Sequence, residues 1–290
     1  MKWKGRRSST NVRDARGEKV VRTAGAGALL HFVGRRFGFK GILFMLGIVA
    51  VLWVTGLVDP STFLGGGVQT QPGEHQASPE EQERFEFVTV VLADTEDIWT
   101  EEFRIRGAAY QAPQLVIYTD LVDTRCGQGQ AQMGPFYCPG DQTIYVDLGF
   151  YDELAQSFRA PGDFAQAYVI AHEVGHHVQN LLGASDKVHR MRGQPDYNEW
   201  SVRLELQADF YAGLWARKNS HYLDQGDIEE AMTAANAIGD DAIQGRMRGK
   251  VVPHTFTHGT SEQRMRWFNN GLKTGRMEDG DTFDLPYGQL

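Results

Sequence analysis

His172 and His176 stand four residues apart in the run His172-Glu173-Val174-Gly175-His176. On a helix that spacing projects both imidazoles from one face, about one turn apart. Two nitrogens so placed can each reach a single zinc ion at about 2.0–2.1 Å. Glu173 then lies where it can touch a water at the metal without ligating it, the geometry of His-Glu-x-x-His sites. The chemistry expected is metal-assisted hydrolysis of a carbonyl compound, with Glu173 as general base. His177 points about 100° away from His176 around the helix. It cannot join the same ion and is assigned a supporting or structural role.

Tetrahedral zinc needs a third protein ligand, with the fourth position left to water. Glu205 and Asp209 are again four apart, within Glu205-Leu206-Gln207-Ala208-Asp209. Leu204, Ala208, Tyr211, Ala212 and Trp215 mark a helix packed into the body, where unpaired carboxylates are costly. One carboxylate of the pair can bind zinc while the other accepts the spare ring N–H of a ligating histidine. Helical spacing alone leaves open which does which.

Three runs carry a resemblance: His172–Gln179 (His-Glu-Val-Gly-His-His-Val-Gln), Glu205–Trp215 (Glu-Leu-Gln-Ala-Asp-Phe-Tyr-Ala-Gly-Leu-Trp) and Phe256–Arg264 (Phe-Thr-His-Gly-Thr-Ser-Glu-Gln-Arg). Together they resemble the bacterial putative neutral zinc metallopeptidase family, over a stretch from the N-terminal arm to about Leu272. A looser likeness runs to the gluzincin peptidases of the CAAX-prenyl protease and heat-shock membrane protease group. There the glutamate opening a Glu-x-x-Ala-Asp run is the third ligand and the aspartate supports it. Carried over by position, the resemblance implies Glu205 as ligand and Asp209 as its support. Those gluzincins place the site among several membrane spans, and this chain has one candidate span, so their substrates do not carry over.

The activity expected is zinc-dependent hydrolysis of peptide bonds, on a protein or peptide substrate. The tetrahedral oxyanion calls for a further donor. His258 is the candidate, with His254 and Tyr145 behind it. An extended peptide could add to a sheet edge, for which Thr143–Asp147 is the candidate strand. Asp94, Glu96 and Asp97 read as a solvated acidic face. Two other functions remain to be separated from this one: a non-catalytic zinc-binding scaffold tethered to the membrane, and a hydrolase of non-peptide amides. Glu173 speaks against the scaffold, since a purely structural site needs no such carboxylate.

These residues need elements to hold them. Ser78 can cap a helix with Pro79 in its first turn and Glu81 closing the box, running to about Phe103. Further helices are expected over Asp163–Leu182, Glu199–Lys218, 226–245 and Ser261–Gly271, the last capped by Thr260 or Ser261. Gln114–Tyr118 and Thr143–Asp147 read as strands. The fold class is α+β, a mainly helical zincin-like domain with a small β-sheet.

Charge divides the chain. Residues 1–58 hold eleven of its 29 Lys/Arg but two of its 37 Asp/Glu, leaving the remainder at a net charge of -17. So acidic a body repels nucleic acid. Between Lys40 and Asp59 lie eighteen residues without a charge. As a helix they would extend about 27 Å, close to the hydrocarbon thickness of a bilayer. The organisation expected is therefore a basic cytoplasmic arm (1–40), a transmembrane helix (41–58), a flexible linker (59–77), a catalytic domain (78–275) and a C-terminal tail (276–290). The positive-inside rule would put the arm in the cytoplasm and the body outside the cell membrane. Cys126 and Cys138, the two cysteines, then read as a disulfide. The loop-entropy model gives such a link about 3 kcal/mol. Oligomeric state is not legible from the sequence.

Overall fold

A computed structural model describes residues 1–22, 35–36, 68–71, 73 and 75–290. In chain order the main elements are β1 (Val12–Asp14), β2 (Lys19–Arg22), β3 (Val68–Gln71), α1 (Pro79–Ile105), β4 (Gln114–Tyr118), β5 (Leu121–Thr124), β6 (Gly127–Gln130), β7 (Phe136–Cys138), β8 (Thr143–Asp147), α2 (Phe150–Gln156), α3 (Asp163–Leu181), α4 (Ala184–His189), α5 (Tyr197–Lys218), α6 (Asp227–Ala237), α7 (Asp240–Arg248) and α8 (Ser261–Thr274). The class is the expected one, α+β and mainly helical with small sheets. Two units make up the chain, residues 1–16 with 76–290, and residues 17–75. In the second, β2 and β3 pair antiparallel. The expected transmembrane helix at 41–58 lies outside the described residues, as does much of the linker. Among the described residues no helix is long and apolar enough to cross a membrane.

The larger unit is built on a four-stranded sheet of order β1-β4-β8-β7. β1, β4 and β8 run parallel, and β7 is antiparallel to β8. Both faces are covered, which is why β4 and β8 read as nearly continuous apolar runs. Leu115, Ile117, Ile144 and Val146 face the main core, while Val116, Tyr118 and Tyr145 face a smaller cluster with Cys138. The strand expected at an edge, Thr143–Asp147, is therefore interior. β7 is the edge.

The helices begin where their caps predict. Ser78 accepts from the Glu81 amide, and Thr260 forms a full capping box with Gln263. α3 lies against α1, α5 and α6. Trp215 of α5 stacks on Phe164 of α3 at 5.5 Å, with both rings fully buried. Each such burial contributes roughly 1.5–3 kcal/mol. α5 and α8 cross so closely that a Cβ on Gly213 would lie 1.9 Å from the Phe268 carbonyl oxygen. That contact carries Arg264 of α8 toward the face of α5 that holds Asp209.

Four expectations on organisation change. Residues 1–16 are not an unstructured arm. Arg6 pairs with Asp94, Arg7 with Glu96 and Asp97, and Ser9 and Asn11 both donate to Glu96. The acidic residues read as a solvated face are thus a dock for the basic N-terminus, whose β1 completes the sheet. Met1 is buried as well, its ammonium donating to Asp163 at the start of α3.

Residues 276–290 are likewise part of the domain and no tail. Thr282 donates to the Arg203 carbonyl at 2.6 Å, Gln207 donates to the Gly280 carbonyl, and Met277 and Leu290 are buried. The helix expected over 226–245 is two helices, α6 and α7. At the break, Ser261 and Arg264 donate to the carbonyls of Asn236 and Ile238, satisfying the end of α6 from outside it.

Candidate metal centre

α3 and α5 supply the site. Gly175 lets them approach, since a Cβ there would lie 3.0 Å from the Ala208 carbonyl oxygen. At this crossing, His172, His176 and Glu205 each offer a ligand atom, all within 4.8 Å of one another. Glu205 spans both rings, with Oε2 3.3 Å from His172 Nε2 and Oε1 3.5 Å from His176 Nε2.

The orientation of each ring is held from behind. His172 Nδ1 lies 2.8 Å from Asp209 Oδ1, and His176 Nδ1 lies 2.9 Å from Gln179 Oε1. Both partners are acceptors, so each Nδ1 carries a proton, and each Nε2, which faces Glu205, is the nitrogen that offers a lone pair once its own proton is lost. Two imidazole lone pairs and one carboxylate, pre-aimed at one point, fit a zinc ion. Of the two carboxylates left open by spacing, Glu205 meets both rings at Nε2 and Asp209 stands behind His172.

Asp209 is fully buried and saturated. It accepts from Tyr168 at 2.6 Å and twice from Arg264 at 2.9 Å, besides His172. Burial by itself would push its carboxyl up, but Arg264 and His172 hold it below the usual range. Glu205 behaves alike: burial is outweighed by His176, His258 and the bonds from both ligand histidines. Burial would lower His172, yet Asp209 and Glu205 lift it to about 9. His176 is raised too, against burial, by Glu205. Glu173, almost wholly buried, is raised because burial disfavours its charge.

A pH dependence follows. A histidine raised from 6.5 to about 9 stabilises the metal-free fold fully below 6.5, and that contribution is lost as pH rises to 9. Zinc needs the neutral ring, so its binding should strengthen over the same interval and release about one to two protons per ion near pH 7. Calorimetry in two buffers of different protonation enthalpy measures this; uptake without proton release would refute the raised histidines.

His258 sits on the loop before α8. Its Nδ1 faces Asp240 at 3.3 Å, and Asp240 also accepts the backbone N–H groups of Thr257, His258 and Gly259. The Glu205 carboxylate, followed by Asp240, raises its pKa. It is half exposed. The two reserve donors lie elsewhere. Tyr145 faces the far side of the sheet and donates to Asp141, and exposed His254 holds Asn198 through its backbone carbonyl. His177 is fully buried, and burial lowers its pKa.

Four residues of the centre escaped the sequence reading. Tyr168 and Gln179 fall at helical spacing from the ligands, a usable signal. Arg264 lies within the quoted run but carried no local cue. Asp240 is eighteen residues from His258 and could be found only in the fold. Beside His176 and Glu205 opens a groove of about 270 Å³, bordered by Tyr137 and Pro139 at β7 and by Asn180, Asp186, His189 and Arg192. Cys126 and Cys138 form a disulfide, S–S 2.07 Å, at the end of β7.

A sequence model of the family described as "Putative neutral zinc metallopeptidase" matches residues 1–283. Uncharacterized protein YpfJ of Escherichia coli is 45% identical over 288 residues, covering 98% of this chain and 99% of that protein. Uncharacterized protein Rv2575 of Mycobacterium tuberculosis is 42% identical over 187 residues, covering 60% of this chain and 63% of that protein. No solved structure matches.

Proposed function

The chain belongs to the putative neutral zinc metallopeptidase family, and we propose that it is a zinc-dependent endopeptidase with Glu173 as general base. The observation that carries this is the trio His172, His176 and Glu205 with both Nδ1 protons already committed. These three residues would hold the ion. Zinc bound there supplies Lewis acidity, polarising a carbonyl and acidifying a water.

The chain's own groups do the rest. Glu173, raised by burial, is suited to take the proton of the attacking water and return it to the leaving amine. His258, held at Nδ1 by Asp240 and raised by Glu205, is suited to donate from Nε2 to the developing oxyanion as the imidazolium. An extended peptide adds to β7, the edge strand that borders the groove. Incubating the full chain with a quenched peptide library, zinc-loaded and chelated, tests the reading. Zinc-dependent cleavage is expected. Bound zinc without cleavage would favour a scaffold, and cleavage of non-peptide amides alone would change the substrate class.

Attachment to a bacterial cell membrane through residues 41–58 and an extracytoplasmic body are part of this proposal; since residues 1–16 and the body share one sheet, which does not close across a bilayer, the attached segment enters and leaves on one side and is not a single crossing. The uncharged run supports the first and the disulfide the second. The expected cytoplasmic arm is not, because residues 1–16 belong to the body's sheet. Cysteines placed at exposed Lys4 and Lys273 should therefore label together with an impermeant maleimide on intact spheroplasts. Cys126 and Cys138 should resist it until reductant is added. Labelling of one introduced site without the other would overturn the shared side, and free native thiols would overturn the oxidising compartment.

A further inference from the structure

His177 lies next to a ligand histidine, is fully buried and takes no part in the chemistry above. Its ring is spoken for on both sides. Nε2 lies 2.6 Å from the Gln111 carbonyl oxygen, which can only accept, so Nε2 carries the proton. Nδ1 is then a lone pair and accepts the Tyr137 hydroxyl at 3.0 Å. That commits the one proton of Tyr137, and the hydroxyl oxygen in turn accepts from Asn180 Nδ2 at 3.0 Å. Ring edges from Tyr110 and Tyr137 close around the imidazole at 5.8 and 5.4 Å.

Each member ties together parts of the site. Tyr137 is the middle residue of β7, and Tyr137 and Asn180 both border the groove beside His176 and Glu205. His177 and Asn180 are three apart on α3, so two positions one turn apart on the helix hold the single Tyr137 hydroxyl of the strand. His176 and His177 are consecutive: one faces the metal trio, the other faces β7.

We propose that His177, through Tyr137 and with Asn180, is a positioning residue that sets the register of the substrate-binding strand β7 against the metal helix. A peptide added to β7 inherits that register, which places its scissile carbonyl. This rests on the peptidase reading for its substrate. Since the Tyr137 proton is already given to His177, Tyr137 is not the oxyanion donor, and its loss shows in substrate binding and not in turnover.

The test uses three variants of the zinc-loaded full chain with oxidised insulin B chain as probe. Tyr137→Phe removes the hydroxyl. His177→Gln keeps a donor toward the Gln111 carbonyl but removes the acceptor at the Nδ1 position, whereas His177→Asn restores an acceptor there. Tyr137→Phe and His177→Gln should raise KM about tenfold, as a buried polar contact left unmade would. In both, kcat should stay within about twofold and zinc content should not change. His177→Asn should recover most of the affinity. Binding of the same probe, measured in a Glu173→Gln background, should follow the KM values.

An unchanged KM in Tyr137→Phe would overturn the proposal. So would a fall in kcat at constant KM, or equal losses in His177→Asn and His177→Gln accompanied by equal falls in Tm, the mark of a purely structural histidine. If the wild type binds the probe without cutting it, the peptidase reading fails while the binding comparison still decides this one. Failure of the parent to bind the probe overturns it.

Discussion

Glu173→Gln should lower zinc-dependent peptide hydrolysis by at least about two orders of magnitude, the usual contribution of a positioned general base. The substitution keeps the length and shape of the side chain and removes the group that accepts the water proton. Glu173 is buried on α3 between the ligand histidines in sequence, and burial raises its pKa, so the wild-type carboxylate is a stronger base than an exposed one. A neutral amide in a nearly dry pocket costs the fold little. Zinc stoichiometry and melting temperature should therefore stay near those of the parent. Zinc content, Tm and hydrolysis measured side by side check this. An active wild type with an equally active Glu173→Gln would place the base elsewhere.

Glu205→Ala and Asp209→Asn should fail in different ways. Glu205 meets both rings at Nε2, so removing it takes away one of three donors. The loss in zinc affinity should go well beyond the roughly 10–100-fold typical of an orienting partner. Asp209 stands behind His172, and its loss should cost zinc affinity within that range. Its larger effect is on the fold. Arg264 is 3% exposed and gives Asp209 two hydrogen bonds, so the neutral variant leaves a guanidinium buried without its counter-charge. Breaking such a pair costs about 3–5 kcal/mol. In a protein of this size that is a fall in Tm on the order of 10 °C. Zinc titration and thermal melts of the two variants separate the roles. Full zinc in Glu205→Ala with none in Asp209→Asn would reverse the assignment.

The centre shows why buried charge can be kept here. Asp209 joins Tyr168, His172 and Arg264, three residues from two other helices, in one saturated network. Each member is costly alone and satisfied together, which makes the relative placement of α3, α5 and α8 specific. Zinc would add its charge to a frame that already fixes where the rings point.

Local signals settled a good part of this protein. The spacing of His172, Glu173 and His176, and of Glu205 and Asp209, sets each group on one helical face whatever surrounds it. Ser78 and Thr260 mark helix starts, because capping is satisfied within four residues. The pairing of two lone cysteines was legible from their number. The division of labour between Glu205 and Asp209 was not local: it depends on which end of each imidazole faces α5, set by the crossing at Gly175. Asp240 behind His258 and Arg264 behind Asp209 are contacts across tens of residues, with no periodicity to announce them. The edge of the sheet was misread because an apolar strand looks alike whether it is central or terminal; only pairing with β4 on one side and β7 on the other makes β8 interior. The basic N-terminus misled for a related reason. Its positive charge is as apt for an acidic helix face as for a cytoplasmic membrane surface, and the sequence shows the charge but not the partner. Tertiary structure chose the helix face, through Arg6 on Asp94, Arg7 on Glu96 and β1 on β4.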